Sequence, residues 1–352
     1  MDNNMPLISI IIATFNSENV LPLVLKSILN QSYPRDKIEL LVVDGGSKDS
    51  TLEIAKRYNC ISLNNPKTEP VNAKLIGLRA AKGKYVITID HDEVVENRDS
   101  ILRKVKTLQS HSECKVALCS GYKRPQSYPM LNQYISDFGD PFSLFIYSFP
   151  KGYVFFESAI RHKFKVESYS DYLVITFDLM KEIIMELFCL GTMIDAEYFK
   201  NKFPDCQTDG YILTNLFYLM LKEGDTKVVL LQNDPLIHYS VDSLKAYFPK
   251  LKWRIYNNVF FLEKGAAGFN GRMEFQEKIK LKKYLFIPYS FSVIIPFLHG
   301  LGYSLSRRNS IYLIHPILCI YVSVTILTAF VKHALGLKVK LLSYDGKKEI
   351  EE

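Results

Sequence analysis

Cysteine is scarce and scattered in this chain. The six in 352 residues (60, 114, 119, 189, 206 and 319) form no close pair. Zinc-knuckle spacing and a disulfide framework are therefore not expected, and reduced thiols on a cytosolic face are. No Gly-x-Gly-x-x-Gly turn follows the first apolar run, which excludes a dinucleotide-binding Rossmann enzyme. Met1 to Pro6 has neither the basic region nor the free apolar run of a signal peptide, so no cleaved leader is expected. The aromatic, interrupted stretch 123–180 holds no repeat and no low-complexity tract, and its aromatics are read mainly as core.

What is present begins with periodicity. Leu7 to Ile12 and Lys84 to Ile89 are short, nearly continuous apolar runs rich in β-branched residues, the pattern of strands buried on both faces. Ile38 to Val43 and Cys60 to Leu63 predict two more strands. Between them, helical spacing predicts helices over Asn19–Asn30, Lys48–Tyr58 (with Ser47 as N-cap) and Val71–Ala81. Alternating strands and helices imply a parallel sheet with helices on its faces over about the first 120 residues. Ligands of such sheets collect at the carboxyl ends of the strands. Asp90-His91-Asp92 stands at one of those ends. Two carboxylates one residue apart suit a hard divalent cation that also holds phosphates.

Four motifs then fall in register. Ser9 to Asn16, Val42 to Thr51, Gly77 to Val86 and Asp90 to Asp92 follow one another at the intervals of the nucleotide-binding half of family 2 glycosyltransferases. The chain resembles that family, which implies an α/β, GT-A fold: a Rossmann-like, mostly parallel sheet flanked by helices. The resemblance implies a nucleoside-diphosphate sugar donor, a UDP-sugar first, and Mn2+ or Mg2+ as cofactor. Thr14 and Phe15 would edge the base, with Glu18 close by, and Asp44 would accept from base or ribose. Asp90 would reach the ribose or the metal, Asp92 would coordinate the metal, and Lys74 would face phosphate. His238 matches a position that helps close the metal and diphosphate site. Asp209 stands where the family places its general base, in a Thr208-Asp209 pair that lacks the usual glutamate. Asp205 is its rival. Arg254 would neutralise the leaving diphosphate. Trp253-Arg254 lacks the Gln-x-x-Arg-Trp pattern of processive synthases, which argues for a non-processive enzyme. Plainer roles stand beside these: a turn cap for Asp44, a first-turn acid for Glu18, an N-cap for Asp209, a structural histidine at 238.

The C-terminal part sets the surroundings. Tyr284–Ser306 and Asn309–Val331 contain no Lys, Arg, Asp or Glu and are separated only by Arg307-Arg308. They are read as a hydrophobic helical hairpin, the first segment interrupted by prolines and spanning, re-entrant or interfacial. The stretch 245–283 is basic and accounts for most of the net charge of +7, which suits an anionic cytoplasmic leaflet better than nucleic acid. The expected organisation is a GT-A domain over 1–283 (nucleotide half 1–122, acceptor half 123–283), membrane-associated helices over 284–335 and a polar tail over 336–352. The function this implies is inverting sugar transfer to a glycan or polyprenyl-linked acceptor at the cell membrane. A non-catalytic sugar-nucleotide-binding subunit is the alternative.

Overall fold

The computed structural model describes residues 5–260 and 269–340, so most of the expected polar tail, and residues 261–268 of the basic stretch, lie outside the described residues. The chain divides into two compact units. The first comprises residues 1–125, 153–178 and 185–239, and the second comprises 126–152, 179–184 and 240–352.

All twelve described strands belong to the first unit. In chain order they are β1 (Ile8–Thr14), β2 (Ile38–Asp44), β3 (Ile61–Asn64), β4 (Tyr85–Asp90), β5 (Glu93–Val95), β6 (Val116–Leu118), β7 (Tyr122–Lys123), β8 (Lys165–Ser168), β9 (Tyr172–Thr176), β10 (Met193–Asp195), β11 (Lys227–Leu231) and β12 (Leu236–His238). Nine of them form one sheet in the order β3-β2-β1-β4-β10-β6-β11-β9-β8. β3, β2, β1 and β4 run parallel; β1, β2 and β4 are buried on both faces, as their apolar runs predict, while β3 is a largely exposed edge strand. Beyond β4 the sheet is mixed, because β10 enters antiparallel between β4 and β6. A second, three-stranded sheet has the order β5-β12-β7.

Three helices connect the parallel strands: α1 (Leu21–Leu29), α2 (Thr51–Arg57) and α3 (Pro70–Ala80). α1 buries Leu21, Val24, Leu25 and Ile28, the stripe its spacing predicts. α2 starts later than expected, with Ser50 rather than Ser47 at its N-cap. The reason is local: the Ser47 hydroxyl is turned to the Asp44 carboxylate and accepts from the Asn16 amide at 2.8 Å, so it cannot cap a helix. α3 lies close on β1 at Gly77, where a Cβ would fall inside the side chain of Ile11. That close approach is what the glycine provides.

The second unit is helical among its described residues. Its longer helices are Met130–Phe138, Leu244–Phe260, Glu277–Phe291, Ile294–Arg307 and His315–Ala334. The helical stretch Ser310–Ala334, with mean hydropathy 2.1, is long and apolar enough to cross a membrane. The first predicted span instead breaks into two helices bent by 89°. The break falls at Ser292-Val293, with Val293 at φ 55.

A candidate sugar-nucleotide site at the carboxyl edge of the sheet

Register alone assembles the core of the site. Thr14 pairs with Asp44 across β1 and β2, and Ala13 pairs with Asp90 across β1 and β4. Thr14, Asp44 and Asp90 therefore share one carboxyl edge of the parallel strands, where open α/β sheets bind ligands.

The loops at that edge are laced together. The Asp44 carboxylate is buried and accepts from the Thr14 hydroxyl at 2.9 Å, the Gly46 amide at 3.0 Å, the Ser47 amide at 2.8 Å and the Ser47 hydroxyl. Asp44 thus shapes the turn as a cap. Asn16, at φ 49, accepts from the Lys48 amide at 2.9 Å. The Phe15 amide donates to the Ser17 hydroxyl at 3.2 Å, which turns the chain away from the strand after Thr14. Glu18 is exposed, and its carboxylate accepts from the Ser50 amide at 3.1 Å, beside the start of α2.

The Asp90-His91-Asp92 turn is held from two sides. On one, Lys74 of α3 reaches Asp90 at 3.3 Å. Burial works against the charge on Lys74, but Asp90, Cys189 and Glu93 outweigh it, and the ammonium titrates above its ordinary value. On the other, β12 pairs antiparallel with β5 and sets His238 opposite Glu93. His238 Nε2 lies 3.7 Å from Asp92 Oδ2, and the Tyr239 amide donates to the Asp92 carbonyl at 2.7 Å.

Among the described residues no group of three or more His, Cys, Asp or Glu side chains is placed to hold a metal. The Asp92–His238 pair supplies two donors. Their 3.7 Å separation is less than twice a metal–ligand bond of about 2.1 Å, so Asp92 and His238 are the residues that would share one cation. A carboxylate and a neutral imidazole with further positions left to phosphate and water suit a cation that arrives with a diphosphate.

Two residues of this site have no place in the sequence reading. Glu93 is 1% exposed and accepts from the Asp90 amide at 3.0 Å and from the Tyr122 hydroxyl. Burial, with Asp90 and Asp92 beside it, pushes its carboxyl up to about 8. Tyr122 in turn stacks on the His238 ring at 4.4 Å. The sequence signal for Glu93 is its adjacency to Asp92. None exists for Tyr122, which only the β5-β12-β7 sheet brings in.

Asp209 is the exposed N-cap of the helix Gly210–Lys222 and accepts from the Tyr211 amide at 2.8 Å. A Cβ on Gly210 would sit 3.0 Å from Val71, so this cap lies against the first turn of α3, the helix that carries Lys74. Asp205 sits one turn earlier, in the short helix Pro204–Gln207, and its carbonyl accepts from the Asp209 amide at 2.8 Å. Arg254 belongs to the second unit, where it faces Asp140 at 3.5 Å.

Comparison with known proteins bears on the family and the fold. Residues 9–151 match the family described as glycosyl transferase family 2. An uncharacterized glycosyltransferase of Haemophilus influenzae is 38% identical over 116 residues, 31% of this chain and 45% of that protein. The poly(ribitol-phosphate) beta-N-acetylglucosaminyltransferase TarS of Staphylococcus aureus is 29% identical over 109 residues, 29% of this chain and 19% of TarS. The chain thus spans less than half the length of these curated relatives. Among solved structures, the mannosyltransferase PcManGT from Pyrobaculum calidifontis, in complex with GDP-Man and Mn2+, is similar with a TM-score of 0.53. That match covers 92% of this chain and 88% of that one at 15% identity, a likeness of fold. The architecture is accordingly that of the GT-A glycosyltransferases, with the family 2 match confined to residues 9–151.

Proposed function

We propose that the chain is a membrane-associated, non-processive glycosyltransferase that takes a sugar from a nucleoside diphosphate, a UDP-sugar first, to a glycan or polyprenyl-linked acceptor, with inversion. The observation that carries this reading is the placement of Thr14, Asp44 and Asp90 on one strand edge with the Asp92–His238 pair beside it. The family match over residues 9–151 and the sugar nucleotide and Mn2+ named for the mannosyltransferase support the same assignment.

In this reading the loops after β1 and β2 cradle the base and ribose. Asp44 acts through the turn it caps, and Asp90 reaches the ribose. Asp92 and His238 hold Mn2+ or Mg2+, which when bound neutralises charge on the diphosphate. Lys74 keeps Asp90 in place and adds positive charge beside the phosphates. Asp209, the N-cap of its helix, takes the proton from the acceptor hydroxyl. The soluble face is cytoplasmic, where sugar nucleotides are supplied.

Thermal protection by nucleoside diphosphate sugars, with and without Mn2+, tests the reading together with turnover. A saturating donor raises the melting temperature of the wild type only with metal. Asp92→Asn weakens the metal requirement's midpoint and activity about 100-fold, as loss of a charged ligand does. Asp209→Asn retains protection and loses about 10²–10⁴ in turnover. Protection without metal, or full turnover of the Asp209 variant, would reject the corresponding role. A crippled Asp205→Asn would move the base there.

A further inference from the structure

We infer that the apolar C-terminal helix does not cross a membrane but lies in the plane of an anionic bilayer surface, as one side of a monotopic element. The inference rests on the packing within the second unit and is independent of the catalytic reading.

The apolar helix has a charged companion. The Phe248 ring stacks on Tyr321 at 4.0 Å, and the Tyr321 hydroxyl donates to the Phe248 carbonyl at 3.1 Å. Farther along, Lys332 lies 5.9 Å from the Tyr256 ring and Phe260 lies 5.6 Å from His333. The two helices therefore run side by side in the same direction over about 18 Å, at about 1.5 Å per residue. The companion helix, Leu244–Phe260, carries Lys245, Lys250, Lys252 and Arg254. Sinking the apolar helix across the hydrocarbon core would drag these four cations to a depth where ionised side chains are strongly disfavoured.

The bent pair cannot cross in its place. Its limbs, Glu277–Phe291 and Ile294–Arg307, have 15 and 14 residues. Each is about 21–23 Å long, short of a core of about 30 Å. The bend is also fixed. The Tyr289 hydroxyl is hydrogen-bonded to His299 Nδ1 and to His315 Nε2, each at 2.9 Å, and Tyr134 bonds His315 Nδ1 at 2.7 Å. One polar chain thus ties both limbs to the start of the apolar helix and to the helix Met130–Phe138, so straightening would break it.

What remains exposed matches a bilayer surface. Leu281, Leu285 and Ile294 on the bent pair, and Ile317, Leu327 and Phe330 on the apolar helix, are 42% to 76% exposed. Exposed Lys278, Lys280, Arg307 and Arg308 accompany them. Cations beside an apolar face select anionic lipid headgroups over a second copy of an equally basic chain.

Three exposed positions decide the question in membranes from cells expressing the full chain: Ser243→Cys, Ser306→Cys and Lys338→Cys. Each is labelled with a membrane-impermeant maleimide in intact cells and in sealed inside-out vesicles, with the wild type as background. All three reacting from the same side is the expected result. Lys338 on the opposite side would show one crossing, and Ser306 alone on the opposite side two; either overturns the inference. The triple variant Lys278→Ala, Lys280→Ala, Lys283→Ala should bind phosphatidylglycerol-containing vesicles about 100-fold more weakly and neutral vesicles unchanged. Wild-type binding by that variant, or a stable dimer that shields Ser306 and ignores vesicles, overturns the choice of surface.

Discussion

Asp44 has its acceptor positions filled from within the chain, two donors on each oxygen. A buried carboxylate so engaged is a structural element first, and its influence on a nucleotide passes through the turn it shapes. Asp44→Asn would present an amide NH2 to donors. We predict a loss of about 1–3 kcal/mol of ligand-free stability, read as a lowered urea midpoint. A variant that unfolds like the wild type but no longer binds sugar nucleotides would return Asp44 to direct contact with the ligand.

A second residue gives a pH dependence. Asp137 is buried, and burial pushes its carboxyl up to about 6 against the pull of the Tyr312 and Gln133 hydrogen bonds and the charge of Arg307. The unfolded carboxyl ionises near about 3.9. Between those values the unfolded chain releases a proton that the folded chain keeps. The contribution of Asp137 to stability therefore falls as pH rises from about 4 to about 6 and is level above. Urea titrations across that range should show Asp137→Asn differing from the wild type by the Asp137 contribution, its stability falling less between about pH 4 and 6. An identical fall in both would assign it to another group.

At the scale of elements, the seating of α3 on β1 through Gly77 decides where Lys74 and the cap at Asp209 come to rest. Gly77→Ala forces a methyl into Ile11, an overpacking that costs about 1–3 kcal/mol. The expected result is a lowered melting temperature together with weaker donor protection, since the displaced helix carries the lysine that faces Asp90. A variant as stable as the wild type would show that Ile11 relaxes freely. The three-stranded sheet has a comparable role: pairing Glu93 with His238 places the imidazole beside Asp92.

At the scale of the whole molecule, the six cysteines are all free. Burial pushes the thiols of Cys114 and Cys119 up to about 12, so they stay protonated and inert. Reducing agent should leave the melting curve of the purified protein unchanged. A reductant-dependent shift would reveal a disulfide formed outside this arrangement.

The amino-acid sequence already marked the four parallel strands, the helices between them and the carboxyl-edge position of Asp90 and Asp92, because apolar runs and helical spacing are local signals. It also marked the C-terminal apolar segments by composition. The rest follows from contacts between distant segments. Tyr122 and Glu93 meet His238 only because strands distant in sequence pair, and no local pattern encodes that pairing. Ser47 forgoes its helix cap because a buried carboxylate three residues earlier takes its hydroxyl. The break at Ser292-Val293 and the charged helix alongside Tyr321 likewise depend on packing between distant segments. Hydropathy records how apolar a helix is; which of its faces is covered, and by what charge, is set by the neighbours that fold against it.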